Sequence, residues 1–327
     1  VNVDYPGGGF VGLGKKITTI SYPDNISAFY LEGDVVAATK ATYGSRVTGF
    51  SFRGQGSQPD GSVAVYCDGL TSTLIEDNEF VVYYRGIVLH HCRGPMAKMI
   101  RNNDHAAANV APARAGSCFL LVEGGGGISE FSENVYVESN CGGGGAGGFV
   151  GQDYGILVTG VDVMYLSNNH GFGAKTACLA LINDNSGTHL WNVHSSNNQW
   201  EPLSVAGTEF GVLISGSSGA YLKALFFEGD QVINGNTAGF CVQGTDPADI
   251  LINGLQVQSA QGDSVRFSGG TNIQVNGGTL EDCDGANTGG SVHMRFGDGT
   301  NGPNGVVVNG VTMQQRISGY TALAGYY

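Results

Sequence analysis

Charged residues are scarce in this sequence of 327 residues, and positive charge is the scarcer sign. Lys and Arg together number 15 against 28 Asp and Glu, so the formal net charge is −13. Recognition of phosphate groups requires clustered Lys and Arg, so nucleic acid and anionic membrane surfaces are disfavoured as partners. At 13% of the chain, charged residues are also too few to cover the exposed faces of a helical protein. The composition predicts a soluble protein with few helices.

Long apolar runs and paired cysteines are absent as well. No apolar stretch of the sequence approaches the roughly 20 residues that span a bilayer. The seven cysteines are odd in number and contain no CxxC pair, which argues against a disulfide framework and against a cysteine-ligated zinc site. The sequence therefore predicts no membrane span, no metal and no cofactor.

Glycine, by contrast, is abundant at 55 residues, and three Asn-Gly dipeptides recur within one motif. In segments 252–257, 275–280 and 308–313 the order is apolar, Asn, Gly, two further residues, apolar. The asparagines are Asn253, Asn276 and Asn309, so the motif returns after 23 and then 33 residues. Repeats of this length with insertions are typical of a solenoid. Because Gly accepts positive φ and Asn tolerates it, stacked corners joined by an asparagine ladder are predicted. Three ordinary hairpin turns are the alternative.

Two series of apolar runs alternate along the chain and predict the fold. The first ends at Ile100, Val137, Leu166, Val193, Phe227, Val257, Leu280 and Met313, and the second ends at Leu89, Val122, Val158, Ile182, Ile214, Val242, Phe267 and Phe296. A crossover made of another strand favours a parallel β-helix with a small extra strand at the corner. Right-handed crossovers dominate. The predicted fold is an all-β, single-stranded, right-handed parallel β-helix (solenoid) of about ten coils with long corner loops. Residues 1–46 are predicted to form an N-terminal cap or oligomer contact, and residues 47–327 a β-helix domain truncated at its C-terminus.

Three long segments predict where a binding groove lies. Segments 105–116, 139–153 and 195–209 follow strands of the first series and leave the solenoid at one corner, so they form a rim beside a flat sheet. Such a groove suits an extended polymer, although loop-length variation without a function is the alternative. The residue after each first-series strand forms an outward column of Arg101, Glu138, Ser167, His194, Glu228, Gln258, Glu281 and Gln314. In this register, His194 and Glu228 are neighbours in adjacent coils.

The column contains residues suited to glycoside hydrolysis, which requires one protonated and one ionised carboxyl group. Glu228, Asp230 and Glu201 are the predicted catalytic residues, with Glu209 and Asp184 as substitutes. Asp230 lies two residues after Glu228 and is expected to point the same way in an extended strand. The indole of Trp200 is predicted to stack on a sugar from a polar loop, with a role as loop anchor as the alternative. The predicted substrate-binding residues are Trp200, His194, Glu138, Arg101 and Lys223. For Glu228, Asp230 and His194, an ordinary solvated surface position is the alternative.

The glycine-rich coils, Asn-Gly corners, acidic net charge and loop-walled groove resemble the pectate-lyase-like superfamily of right-handed parallel β-helices. Within it, the chain is most similar to the tailspike depolymerases of tailed bacteriophages. The resemblance covers residues 47–320 in architecture and includes no diagnostic catalytic motif. It implies a homotrimer, located on the virion tail or otherwise extracellular. It further implies binding and cleavage of bacterial surface polysaccharide (O-antigen, capsule or exopolysaccharide) by paired carboxylates.

Two other functions fit the same fold. A polysaccharide lyase would abstract a proton beside a uronate carboxylate and would neutralise that carboxylate with Arg or calcium. Basic residues are sparse on the predicted face, where Arg101, Lys175 and Lys223 lie. A noncatalytic carbohydrate-binding adhesin or structural tail protein would need only the groove. The sequence favours a glycoside hydrolase over the lyase, and the lyase over the adhesin.

Overall fold

A computed structural model of the chain describes residues 2–3, 9–23, 26–33, 44–54, 61–81, 83–106, 115–124, 131–143, 152–184, 188–202, 210–217, 219–283, 291–315 and 323–326. Within these residues the regular structure is entirely β-strand, and the paired strands run parallel. No helix in this part of the chain is long and apolar enough to cross a membrane. The structure confirms the predicted all-β parallel solenoid.

Each coil contributes one strand to each of three ladders. The first ladder contains β1 (Asn2–Val3), β4 (Ser27–Glu32), β7 (Val63–Asp68), β10 (Arg85–His90), β13 (Cys118–Glu123), β16 (Tyr154–Val158), β19 (Ala177–Asn183), β22 (Phe210–Gly216), β29 (Val292–Phe296) and β32 (Leu323–Tyr326). The second contains β2 (Gly9–Val11), β5 (Ser45–Thr48), β8 (Thr73–Glu76), β11 (Lys98–Arg101), β14 (Ser132–Glu138), β17 (Val161–Ser167), β20 (His189–Ser196), β23 (Tyr221–Glu228) and β30 (Asn304–Asn309). The long strands β25 (Ala238–Asn253) and β27 (Asp263–Asn276) pass through both ladders.

The third ladder is the short extra strand predicted at the corner. It contains β3 (Thr18–Tyr22), β6 (Phe50–Gly54), β9 (Glu79–Val81), β12 (Asp104–Ala106), β15 (Cys141–Gly143), β18 (His170–Phe172), β21 (Gln199–Glu201), β24 (Gln231–Ile233), β26 (Gln256–Gln258), β28 (Thr279–Glu281) and β31 (Thr312–Gln314). Among the described residues this ladder has 11 strands, one for each coil, where about ten coils were predicted.

The ladders extend into the N-terminal segment. Strands β3 and β4 lie within the first 46 residues and pair in parallel with β6 and β7. The division of the chain into a cap (1–46) and a truncated β-helix domain (47–327) stays a prediction, because these pairings do not separate a capping role from that of an ordinary coil.

The second apolar series marks the inward side chains of the first ladder. Leu89, Val122 and Val158 align in register, and all are fully buried. In β19 the series was predicted to end at Ile182, but the residue that pairs with Val158 is Leu181. Burial of one such aliphatic side chain stabilises the fold by about 1.5–3 kcal/mol, and each coil repeats the contact. The stacked apolar side chains therefore form one continuous core along the solenoid.

The first apolar series is wrong in register at two places. In β20 the residue aligned with Leu166 is Ser195, not Val193. From Val257 onward the series leaves the second ladder for the third, because Val257 pairs with Val232 of β24. The predicted outward column therefore mixes residues from two different ladders.

The predicted asparagine ladder is confirmed at the corner after the second ladder. Asn276 Nδ2 donates to Asn253 Oδ1 at 3.1 Å, and Asn309 Nδ2 donates to Asn276 Oδ1 at 3.1 Å. The glycine after each asparagine has a φ of 64–66°. That is the left-handed conformation for which Asn-Gly was predicted.

A second, buried asparagine ladder occupies the same corner in the earlier coils, two residues later in register. Asn140 is representative. Its Oδ1 accepts hydrogen bonds from the backbone N and the Nδ2 of Asn103, at 3.1 and 3.0 Å. Its Nδ2 donates to Asn169 Oδ1 and to the Ile100 carbonyl, both at 3.0 Å. The ladder runs through Asn78, Asn103, Asn140, Asn169 and Asn198, and it ends at Asp230.

Candidate functional site

Over strands β14, β17, β20 and β23, the outer face of the second ladder carries two rows of side chains, because each of these strands contains a left-handed residue. In an extended strand, residues three apart point to opposite faces. In β20, however, Asn192 has a φ of 54°, so Trp191 and His194 both face outward while Val193 is buried. Equivalent positions in β14, β17 and β23 also have positive φ: Asn134 (52°), Val163 (65°) and Ala224 (58°).

The first row, which we name the aromatic row, consists of Tyr136, Tyr165, His194 and Phe226 at equivalent positions of four successive strands. Adjacent ring centroids lie 5.0, 5.0 and 4.6 Å apart, with interplanar angles of 15–18°. Because each ring covers the face of the next, the rings present mainly their edges to solvent. Tyr165 is nonetheless 37% exposed. Partial burial lowers the pKa of His194, which favours its neutral imidazole.

The second row, which we name the lateral row, consists of Glu133, Asp162, Trp191 and Lys223. Lys223 Nζ lies 4.9 Å from the ring centroid of Trp191 and 5.4 Å from that of Tyr221, within cation–π range. Trp191 and Tyr221 are 37% and 47% exposed. Large aromatic surfaces are therefore held open to solvent beside both an ammonium and carboxylates.

A column of polar side chains, which we name the end column, follows the aromatic row at the strand ends. It consists of Arg101, Glu138, Ser167, Ser196 and Glu228. At the end of this column nearest to the N-terminus, Arg101 and Arg46 contact the same carboxylate, that of Glu76, at 2.9 and 2.6 Å. Arg101 is therefore held by an ion pair, whereas Glu228 is exposed.

The structure corrects the predicted contact between His194 and Glu228. Glu228 pairs in register with Ser196, and His194 pairs with Phe226. His194 lies two residues before the end column and belongs to the aromatic row. The predicted binding residues Glu138, Arg101, His194 and Lys223 do lie on this one outer face, although in three different rows; the roles predicted for them stay predictions.

The expectation that Asp230 and Glu228 point the same way is wrong. Gly229, with a φ of 66°, turns the chain between them, so Glu228 is exposed and Asp230 is 1% exposed. Asp230 accepts hydrogen bonds from the Ser195 hydroxyl, from the backbone N of Asn198 at 2.9 Å and from Trp200 Nε1 at 3.3 Å. Burial raises the pKa of Asp230, and these hydrogen bonds act against that shift. Asp230 is thus the last acceptor of the buried asparagine ladder.

Trp200 and Glu201 also lie away from this face. Trp200 is fully buried in β21, so the prediction that it stacks on a sugar from a polar loop is wrong. Glu201 ends the same third-ladder strand, opposite Phe172. Of the two substitutes, Asp184 is exposed after β19, and Glu209 lies outside the described residues.

The three long segments begin one strand later than predicted. The predicted fillers contain the third-ladder strands β12, β15 and β21. Each segment therefore joins a third-ladder strand to the next first-ladder strand. Residues 107–114, 144–151 and 203–209 lie outside the described part of the chain, so the rim stays a prediction.

Sequence reasoning missed Tyr136, Tyr165, Phe226, Trp191 and Tyr221. The signal was a four-residue pattern in which a polar or aromatic residue is followed, three places later, by an aromatic one. It occurs at 133–136, 162–165, 191–194 and 223–226. A simple two-residue alternation hides this pattern, because the left-handed residue changes which face the later side chains occupy.

Taken together, the three rows form a flat outer face on which the same positions recur in each of four coils, about 4.8 Å apart. Partly exposed aromatic surface offers apolar contact, and the carboxylates, serine hydroxyls and ammonium offer hydrogen bonds to polyhydroxylated ligands. A surface with this repeat fits a linear polymer better than a compact ligand, because one contact type is presented again at each coil.

No family model matches the sequence, and no curated protein matches it. Among solved structures, the chain is similar to tailspike protein 3 of bacteriophage CBA120, with 10% sequence identity and a TM-score of 0.42. That match covers 98% of this chain and 55% of the tailspike chain, so this chain spans about half the length of that protein. A periplasmic alginate epimerase, AlgG, is similar at 12% identity and a TM-score of 0.47, over 95% of this chain and 79% of the epimerase. The parallel β-helix itself is established by the chain's own strand ladders.

Proposed function

We propose that this chain binds a linear polysaccharide of the bacterial surface along the outer face of its second ladder. The observation that carries the proposal is the side-by-side placement of solvent-reaching aromatic surface and hydrogen-bonding side chains over four coils. Tyr165, Trp191 and Tyr221 supply amphipathic rings, which make large contacts while keeping a polar group in reach of water. Glu138 and Glu228 supply acceptors for paired sugar hydroxyls.

Hydrolysis by paired carboxylates has no support from Glu138 and Glu228, the two carboxylates of the end column. Glycosidases hold their two carboxyl groups roughly 5–9.5 Å apart. Glu138 and Glu228 belong to the same column but are separated by the coils of Ser167 and Ser196. At the usual strand spacing, three coils amount to about 14 Å. Binding is therefore the function proposed here, while the hydrolase, the homotrimer and the location on a virion tail stay predictions from the family resemblance.

Affinity electrophoresis through gels containing purified O-antigen, capsular polysaccharide or exopolysaccharide tests the proposal. We expect at least one of these polymers to retard the protein. Trp191→Ala and Tyr165→Ala should each weaken the affinity for that polymer about tenfold. Each removes an aromatic contact that contributes on the order of 1–2 kcal/mol to the binding free energy. Retardation by the same polymer that is unchanged in both variants would place binding elsewhere on the chain.

Leu13→Ala is the matched control, because Leu13 is an exposed hydrophobic side chain at the N-terminal end of the solenoid, 84% exposed. Sedimentation of each variant separates ligand binding from self-association: a changed molecular mass in Trp191→Ala would mean that a second copy covers this face.

Where a bound polymer is also shortened, new reducing ends indicate hydrolysis and an unsaturated uronate indicates a lyase. If Glu228→Gln cleaves the polymer as fast as the wild type does, the reaction takes place away from the end column.

A further inference from the structure

A second cluster of functional side chains lies at the strand ends of the first ladder, away from the proposed binding face. Asp68, His90 and Glu123 occupy equivalent positions in three successive coils. His90 Nδ1 lies 3.0 Å from Asp68 Oδ1. The side chains of His90 and Asp68 are 26% and 32% exposed, so solvent reaches both.

The neighbouring residue, His91, has a backbone conformation that is unusual for its position. It has a φ of 50°, in the left-handed region that side chains with a Cβ seldom adopt. The residues at the same corner of the neighbouring coils are Gly69 and Gly124, and of these two Gly69 has a left-handed φ, of 63°. The three positions are equivalent, because Gly69 N donates to the His90 carbonyl and His91 N donates to the Glu123 carbonyl. His91 thus adopts the left-handed conformation that Gly69 adopts in the preceding coil.

The left-handed corner brings two consecutive imidazoles to the same side of the strand. In an extended strand, adjacent side chains point to opposite faces. Here the ring centroids of His90 and His91 lie 3.7 Å apart. A surface ion pair between His90 and Asp68 would form equally well with glycine at position 91. The ion pair therefore does not account for His91.

We propose that Asp68, His90 and His91 bind a divalent transition-metal ion of the zinc type. One ligand atom from each side chain lies within 4.8 Å of the other two. Ligand atoms around tetrahedral zinc, bonded at about 2.1 Å, are roughly 3.4 Å apart, so small side-chain rotations bring the three into coordination distance. Two imidazole nitrogens and one carboxylate oxygen form a donor set that suits zinc and leaves a coordination position open.

The surroundings orient the carboxylate ligand. The Tyr30 hydroxyl donates to Asp68 Oδ2 at 3.3 Å, which leaves Oδ1 directed at His90. Hydrogen bonds of this kind fix the orientation of metal-binding carboxylates in proteins. Glu123, in the next coil, places a further carboxylate beside His90. The cluster therefore combines neutral and anionic donors at a solvent-accessible corner.

Isothermal titration with ZnCl2, in a Cys141→Ser background, tests the site. Cys141 is exposed and its Sγ lies 3.9 Å from His170 Nδ1, so its replacement removes a separate thiol–imidazole pair. We expect one zinc ion per chain, and at least tenfold weaker binding in His90→Ala and in Asp68→Asn. His170→Ala is the matched control, and it should bind zinc as its background does.

The sharpest variant is His91→Gly, because glycine occupies the equivalent corner of both neighbouring coils. Its thermal unfolding temperature without metal should equal or exceed that of the background, while the zinc-dependent rise in that temperature disappears. Retained zinc binding in His91→Gly, or no binding by the background at micromolar zinc, would overturn the proposal. An unfolding temperature that is not lowered shows that lost binding does not come from misfolding.

Discussion

Two asparagine ladders occupy the same corner of this solenoid, and they differ in depth and in partners. The buried ladder runs from Asn78 to Asn198. From Asn103 onward, each amide Oδ1 accepts both a backbone N–H and a side-chain Nδ2–H from the preceding coil, and Asn78 Oδ1 accepts the backbone N–H of Phe50. The other ladder lies nearer to solvent, and we name it the exposed ladder. Its members, the half-buried Asn253 and Asn276 and the exposed Asn309, are joined by single side-chain hydrogen bonds. The buried ladder satisfies the backbone of the turn, whereas the exposed ladder only links neighbouring side chains.

The two ladders are separated by the coil that contains Asp230. A carboxylate has no N–H to donate, so it can end the buried ladder but cannot extend it. In the next coil the buried turn position is taken by Leu255, which is 2% exposed. Two positions within one corner therefore decide the role of asparagine. At the later position it is part of the buried core, and two residues earlier it lies nearer to solvent.

Asn140→Ala should have the largest effect on this comparison. It removes the acceptor of two donors of Asn103, and it leaves Asn169 Oδ1 and the Ile100 carbonyl without their donor from position 140. Buried polar groups left unsatisfied cost about 1–3 kcal/mol each, so the free energy of unfolding should fall by about 3–5 kcal/mol. Urea unfolding followed by circular dichroism measures it, and a loss below about 1 kcal/mol would contradict the buried role.

Asp230→Asn should have a smaller effect, which depends on pH. Because burial raises the pKa of Asp230, the folded state favours the protonated form more than the unfolded state does. The resulting stabilisation is fully present below the unfolded pKa and is lost as pH rises through the folded pKa. The stability of the wild type relative to Asp230→Asn should therefore decrease between about pH 3 and pH 7.

Urea unfolding of both proteins over that pH range measures the difference, and subtraction cancels the groups that they share. A difference that stays constant or rises with pH would contradict the raised pKa. Glu228→Gln is the control for replacing a carboxylate by an amide, because Glu228 is exposed and lies two residues away.

Asn276→Ala should have the smallest effect. Asn276 makes one hydrogen bond in each direction of the exposed ladder, and water can replace both. The free energy of unfolding should fall by about 0.5–1 kcal/mol, measured in the same urea assay. A loss comparable to that of Asn140→Ala would remove the distinction between the two ladders.

The fold could be predicted because each corner of the exposed ladder has the dipeptide Asn-Gly in the sequence. Gly254, Gly277 and Gly310 supply the left-handed residue, so the dipeptide marks the corner directly. In the buried ladder that residue varies and is not glycine: Asp77, Asn102, Ser139, Asn168 and Asn197. With 25, 37, 29, 29 and 32 residues between successive members, this ladder also has no fixed period. The buried ladder was therefore missed although it is longer.

The site could be predicted only as a face and not as a set of contacts. Lys223, Glu138 and His194 were assigned to the correct outer surface, because their ladder was identified. The pairing of His194 with Glu228 was wrong because the apolar run was taken to end at Val193, whereas the buried residue that aligns with Leu166 and Phe227 is the polar Ser195. The expectation for Asp230 failed for another reason, because the left-handed Gly229 turns the chain after Glu228. Sequence patterns locate strands, but a single positive φ decides which side chains share a surface.

The buried ladder also bears on how this chain can change in length. Asn140, Asn169 and Asn198 follow one another at intervals of 29 residues, and Asn140 and Asn169 make the same kinds of hydrogen bond. Duplication or excision of one such interval would restore every amide partner at the junction. An indel of any other size within that stretch would have to be absorbed in a loop. Whole-coil gain or loss is therefore the evolutionary step that this corner tolerates, and it would lengthen or shorten the proposed binding face by one unit.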